Sequence, residues 1–398
     1  MGPLTAAGVV AAVAGGLLAA RRFEVADRLK TRLGKGLAPP APPADEDTPE
    51  ACAEREPGRG REAGAPTAIP KKGWMDIAWR VGLSYFGDRL GFISAGVTFF
   101  VVLSLFPTLL MIVTFYGLIF DASNAWDHID YLRGVLPRQI ADFIGNEMQR
   151  LSIDRGATLS LTLAGTTLLS LWTASGAVRT LFYGLNVAYH ETEKRNVIKY
   201  ALICLAFTAA AIAAVVLALA LVVGAPLLLE PLRLTAEVQA LEPLRWPLLA
   251  ALYIAAMTAI YRYGPCRQRA RWRWVTPGGI FAAVGALAVS AAFSWYINEL
   301  ADFRRSYGSL GAMMAFMLWV WFSVQIILLG AKLNAEIEHQ TAVDTTTGHP
   351  MPMGQRGAVV ADTLGARRGA TNAWAFTMKH AEELSRRLTL RRRRPDQD

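Results

Sequence analysis

Two groups of polar residues stand inside stretches of this sequence that are otherwise apolar. In residues 171–189, LWTASGAVRTLFYGLNVAY, the side chains of Trp172, Ser175, Arg179, Tyr183 and Asn186 recur at three- and four-residue steps, on or near one helical face. A charged side chain within a membrane span costs about 2.5 kcal/mol or more on insertion, so it faces a bundle or a watery cavity and finds a partner. Two uses of Arg179 follow. In one, the face lines a polar cavity, Arg179 meets an anionic group, and Tyr183 and Asn186 donate hydrogen bonds there. In the other, Arg179 reaches the headgroup layer or pairs with Glu336 and only fixes helix packing.

The second group is Lys332, Asn334 and Glu336, which closes the run 306–331, 26 residues without a charge. Lys332 and Glu336 are four apart and can pair with each other. Asn334 continues the helix face of Gly330 and is harder to read as simple solvation. Pro107, in SLFPTLL, frees a backbone carbonyl and is expected to kink its helix, with Ser104 three residues earlier able to satisfy part of the deficit.

Other chemistry is scarce. The five histidines are dispersed, without HxH or HExxH spacing, and the three cysteines (Cys52, Cys204, Cys266) are too scattered for a disulfide framework or a thiolate metal site. No P-loop, GxSxG or dinucleotide fingerprint occurs. The sequence therefore leads us to expect no catalytic residues, no metal, no cofactor and no enzyme.

The elements that position these residues are apolar helices. Of 398 residues, 53% are hydrophobic and 18% charged, against roughly 25% charged in a soluble domain, and several runs exceed 20 residues. The expected fold is all-α: a polytopic membrane protein with six core transmembrane helices, a possible N-terminal seventh, and interfacial amphipathic helices. Uncharged runs at 90–120, 156–178, 200–229, 246–261, 274–298 and 306–331 mark the six.

Residues 1–22 could form the seventh helix; the first 20 carry no charge and so lack the basic start of a signal peptide. Residues 23–72, rich in proline and mixed charge, read as a disordered cytoplasmic linker. The membrane domain covers 73–345 and a basic cytoplasmic tail 346–398, with a short helix around 371–390. Trp74, Ile77, Ala78, Val81 and Tyr85 repeat opposite Asp76, Arg80 and Asp88, which suggests an amphipathic helix at the interface. Residues 121–156 form the largest external loop, either a helix capping the bundle or a movable lid.

Lysine and arginine crowd one set of loops: Lys194, Arg195 and Lys199, then Arg262 to Arg273, then Arg391 to Arg394. By the positive-inside rule both ends of the core are expected on the cytoplasmic side. The net charge of +9 then has membrane lipids and anionic headgroups as its partners, with no nucleic acid.

Four segments appear in one order: AGVTFFVVLSLFPTLL (95–110), LWTASGAVRTLFYGLNVAY (171–189), YRYGPCRQRARWRWVTPGGIFAA (261–283) and FSWYINELADFRRSYGSLGAMMAFMLWVWFSVQIILLGAKLNAEIEH (293–339). Together they resemble the YihY/BrkB family of bacterial inner-membrane proteins, formerly labelled ribonuclease BN, over about residues 74–340. The resemblance implies a six-helix protein of the cell envelope, linked in some members to serum resistance or lipopolysaccharide handling. Lys332 departs from it, standing where the family has Glu in GAELNAE, and leaves Glu336 as the surviving acid. The function expected is a transporter or exporter of lipid or organic anion; the alternative is a non-transporting envelope scaffold. A ribonuclease is the least favoured reading.

Overall fold

The computed structural model describes residues 48–119, 157–219, 244–299 and 311–368. The expected N-terminal helix (1–22), the external loop 121–156 and the tail helix 371–390 lie outside them. Eight α-helices and no strand are found among the described residues. They are α1 (Pro49–Arg55), α2 (Lys71–Gly87), α3 (Leu90–Ile119), α4 (Ala157–Ala188), α5 (Val197–Leu219), α6 (Arg245–Tyr263), α7 (Trp272–Glu299) and α8 (Gly311–Glu338).

Helices α3 to α8 lie on the six apolar runs. Among the described residues, three helical segments are long and apolar enough to cross a membrane: Val197–Val215, Trp272–Tyr296 and Met313–Glu338. A fourth span arises if α2 and the first part of α3, which meet at 62°, form one broken segment. Helix α5 shows what surrounds the bundle: only 11% of its most apolar window is buried, and Val197, Leu202 and Val215 point outward. A surface that apolar belongs in lipid.

Helix α3 packs along α4, α7 along α8, and α6 along α7, while α8 also touches α2, α3 and α4. Where α7 meets α8, Gly278 and Gly330 let the backbones approach: a Cβ on Gly278 would stand 2.3 Å from the Gly330 carbonyl oxygen. The core gathers near the C-terminal ends of α4, α6 and α8, around Phe182, Leu185, Tyr189, Tyr261 and Leu328.

Pro107 lies inside α3, which continues through it. The hydroxyl of Ser104 does not serve the carbonyl that Pro107 leaves free; it donates to the Val101 oxygen (2.7 Å) in its own turn.

Two expectations are corrected. The part of the supposed disordered linker that is described is folded: α1, a turn of 3₁₀-helix (Pro66–Ala68) and the buried residues Cys52, Arg61, Ala63 and Ile69. Residues 346–368 of the tail fold as well, burying Arg356, Ala358, Val359, Val360 and Asp362. Neither segment has enough apolar periodicity to fold alone, and both are held by hydrogen bonds to the chain just beyond α8, with Arg61 also reaching the tail. Ala342 N–H donates to the Arg61 oxygen (2.7 Å), and Arg61 donates to the carbonyls of Gln340 (3.1 Å) and Gly365 (2.7 Å). The two form a polar cap over one end of the bundle.

The faces of α2 are likewise the reverse of a helix buried by its apolar side. Gly73, Asp76, Ile77, Arg80 and Ser84 are buried; Trp74, Met75, Leu83 and Phe86 are exposed. With apolar surroundings outside and a polar cap inside, the charged face turns inward.

Candidate functional site

The C-terminal end of α8 carries Lys332, Asn334, Glu336 and Glu338 into the interior, where all four are buried. Lys332 is 0% exposed. Its ammonium lies 3.0 Å from Asp88 Oδ2, 3.3 Å from Glu336 Oε1, 3.3 Å from the Ala188 oxygen and 2.9 Å from His190 Nε2. Ala188 is the last residue of α4, so the lysine also meets carbonyls that the helix end leaves without partners. Residues Asp88 and Arg89 join α2 to α3, and Arg89 (φ 54°) and His190 (φ 56°) both hold the left-handed conformation beside this cluster.

Glu336 has a second cation. Its Oε2 accepts from Arg80 Nε at 2.6 Å. The same guanidinium donates to the Glu336 carbonyl (3.0 Å), Gln340 Oε1 (2.8 Å) and the Ala366 oxygen (3.1 Å). Two cations thus face two carboxylates, a balance that lets four charges leave water together.

Histidines border the cluster. A lysine ammonium only donates, so His190 Nε2 accepts from Lys332 and the ring is neutral. Burial, and then the charge of Lys332, hold its pKa well below the ordinary histidine value. Thr363 gives its proton to the Val359 oxygen and accepts from His339 Nε2, which leaves His339 Nδ1 bare at 3.5 Å from Glu336 Oε2. Burial keeps the pKa of His339 below normal too, against the pull of Glu336.

A neighbouring pair ties the cap to the bundle. Glu338 Oε2 accepts from Arg267 (2.6 Å) and Thr345 Oγ1 (2.8 Å), and Arg267 stacks on Tyr189 at 4.9 Å. Arg59 pairs with Asp76, whose other oxygen accepts the Arg368 N–H at 2.8 Å. Glu191 accepts the Val359 N–H at 2.7 Å, and burial raises its pKa.

The five residues singled out from sequence are only partly brought together. Asn334 Oδ1 accepts from Gly278 N–H (2.7 Å) and its amide donates to the Val275 oxygen (2.8 Å), fastening α8 to the backbone of α7. Asn186 accepts from Cys266 N–H (2.7 Å) and donates to Glu193 (3.1 Å), fastening α4 to the two adjoining turns. Glu336 lies in the cluster just described. Arg179 does not pair with Glu336: it bonds to Ser175 in its own helix and lies 4.8 Å over the ring of Trp172, itself 68% exposed. Tyr183 is 60% exposed.

Sequence reasoning missed Arg80, Asp88 and His190 as partners of α8. One signal was present, Asp76 and Arg80 four apart on a helix flanked by tryptophans, but its reading as the solvent side depended on knowing what lies outside.

A family model described as virulence factor BrkB matches residues 84–353. The chain is 28% identical over 251 residues to YfkH of Bacillus subtilis, whose name calls it ribonuclease-like; the match covers 61% of this chain and 88% of that protein. It is 24% identical over 277 residues to a UPF0761 membrane protein of Methylibium petroleiphilum, covering 66% and 62% respectively. A UPF0761 membrane protein of Paraburkholderia xenovorans is 24% identical over 255 residues, covering 63% and 57%. The chain thus spans less than two thirds of the length of these last two relatives. No solved structure matches.

Proposed function

The chain belongs to the virulence factor BrkB family, and on that premise we propose that this membrane protein is a six-span transporter or exporter of an anionic lipid or organic anion in the cell envelope. Its place is the inner membrane with both ends of the core cytoplasmic, and the Lys332–Glu336 cluster is its gate on that side. The observation that carries this reading is a fully buried lysine held between two carboxylates at the meeting point of α2, α3, α4 and α8. A buried ion pair adds little net stability over well-packed apolar side chains, so charges at this junction fit one that exchanges partners. A gate of this kind opens when Arg80 and Lys332 trade one carboxylate for the anion being moved.

Six spans are supported by the coincidence of α3–α8 with the six apolar runs, and the cytoplasmic side by the arginines of the α6–α7 turn. The scaffold reading is favoured by one observation: Asn186 and Asn334 spend their hydrogen bonds on neighbouring backbones, and Arg179 on its own helix. The reading is of a protein without enzymatic activity; the ribonuclease-like name belongs to a relative at low identity.

Proteoliposomes carrying wild type or Glu336→Gln separate the two. Transport predicts flux of a fluorescent anionic lipid or organic anion above empty vesicles, changed about fivefold or more by the substitution, since a gate residue acts on rate. Wild-type flux no greater than that of empty vesicles moves the assignment to a scaffold, and RNA cleavage by the purified chain restores the enzyme reading.

A further inference from the structure

The stretch from the last turn of α6 to the start of α7 is rich in arginine, and its arginines fall into two kinds. Arg267 is committed to Glu338, and Arg271 Nε donates to the Thr346 oxygen at 3.0 Å. Arg262 and Arg269 have no carboxylate partner among the described residues. Instead, the Arg262 guanidinium lies 4.4 Å from the centroid of the Trp272 ring and 5.6 Å from that of Tyr263. The Arg269 guanidinium lies 5.0 Å from the same Tyr263 ring. One tyrosine thus holds two cations against its ring.

Aromatic faces attract a guanidinium but accept none of its hydrogen bonds in the plane. Arg262 Nε and Nη1 are buried without a hydrogen-bond partner, so the charge of this guanidinium lacks an acceptor on the protein side. A phosphoryl oxygen that reaches its outer nitrogen supplies a charge-assisted hydrogen bond.

We propose that this turn holds the phosphate of an anionic phospholipid, with Arg262 and Arg269 on the phosphate and Trp272 beside it at the interface. The choice of a lipid over a free phosphate comes from what lies below. Trp272 heads an exposed apolar face of α7 that continues through Ile280, Val284 and Leu287, at spacings that keep them on one side of the helix. A headgroup held at the turn sets its acyl chains along that face. The site lies on the outside of the bundle and requires no transport, so it stands whether or not the gate does.

The test uses the full chain purified in detergent and native mass spectrometry of its lipid adducts. Phosphatidylglycerol, phosphatidylcholine with the same acyl chains, and inorganic phosphate are titrated against wild type, Arg262→Gln, Arg269→Gln and Arg273→Gln. Phosphatidylglycerol should bind about tenfold more tightly than phosphatidylcholine, and each of the first two variants should weaken it by about tenfold, the scale of a lost charge-assisted hydrogen bond. Arg273→Gln, at an exposed arginine of the same stretch, should leave the affinity within about twofold. Because Arg269 is exposed, its variant keeps the fold even if Arg262→Gln does not. Equal retention of the two lipids overturns the proposal, as does wild-type affinity in a folded Arg269→Gln. Full displacement of the lipid by millimolar phosphate overturns the lipid and leaves a soluble-anion site.

Discussion

The Lys332 ammonium has four polar atoms within 3.3 Å, from the α2–α3 link, the end of α4, the turn beyond it, and α8 itself. A cation so placed is worth more as a joint than as an ion pair. Removing it strands Asp88 and contributes to stranding Glu336, whose side chains are both buried. Lys332→Met should therefore destabilise the protein by about 3–5 kcal/mol, the range for a broken buried pair. Adding Asp88→Asn restores the charge balance and should recover more than half of that loss. Thermal unfolding in detergent measures both; a single variant as stable as wild type would show that the ammonium is not needed there. The family resemblance places Glu at this position, so Asp88 and Ala188 in this chain face a donor where relatives present an acceptor.

At the scale of elements, the decisive contact is the crossing of α7 and α8. Gly278, Gly330 and Asn334 form it together, the glycines by bringing the backbones close and the asparagine by bonding across them. Gly278→Ala would put its Cβ 2.3 Å from the Gly330 oxygen and 2.4 Å from Asn334 Nδ2. The helices must separate or the asparagine must leave, at a cost of about 1–3 kcal/mol. Gly82 is the control: a Cβ there meets nothing within 4 Å, so Gly82→Ala should be neutral or stabilise α2 by up to about 1 kcal/mol. Equal effects at the two positions, read from the same melting curves, would deny that the close approach matters. Helix α2 shows the limit of pattern reading at this scale. Its two faces were legible in the sequence, but which face points inward was set by the cap.

The whole molecule is a bundle closed at one end by a polar cap, and two histidines sit at the seam. His190 and His339 both have depressed folded-state pKa values, so below about pH 6.5 the unfolded chain binds protons that the folded chain refuses. Their contribution is complete above that pH and is lost as pH falls toward the folded values. Glu191, with its raised pKa, works in the opposite direction at acid pH, so the histidine part is isolated by difference. Between pH 6.5 and 5, wild type should lose about 2 kcal/mol more than His190→Gln, at about 1.4 kcal/mol per pH unit. Parallel pH profiles for the two proteins would place the His190 ring in water rather than at the seam.

The sequence by itself determined the class and the places of the long helices, because length and apolarity of a segment suffice to make a span. It also marked Asn186, Asn334 and Glu336 as worth attention, since polar residues in apolar runs must be satisfied somewhere. Partners were beyond it. Glu336 meets Arg80, 256 positions earlier, and not Arg179; the supposed linker and the tail fold against the chain that leaves α8. Such contacts depend on which helix ends and chain segments gather at the same end of the bundle. No local pattern encodes that arrangement, and only the tertiary structure decided it.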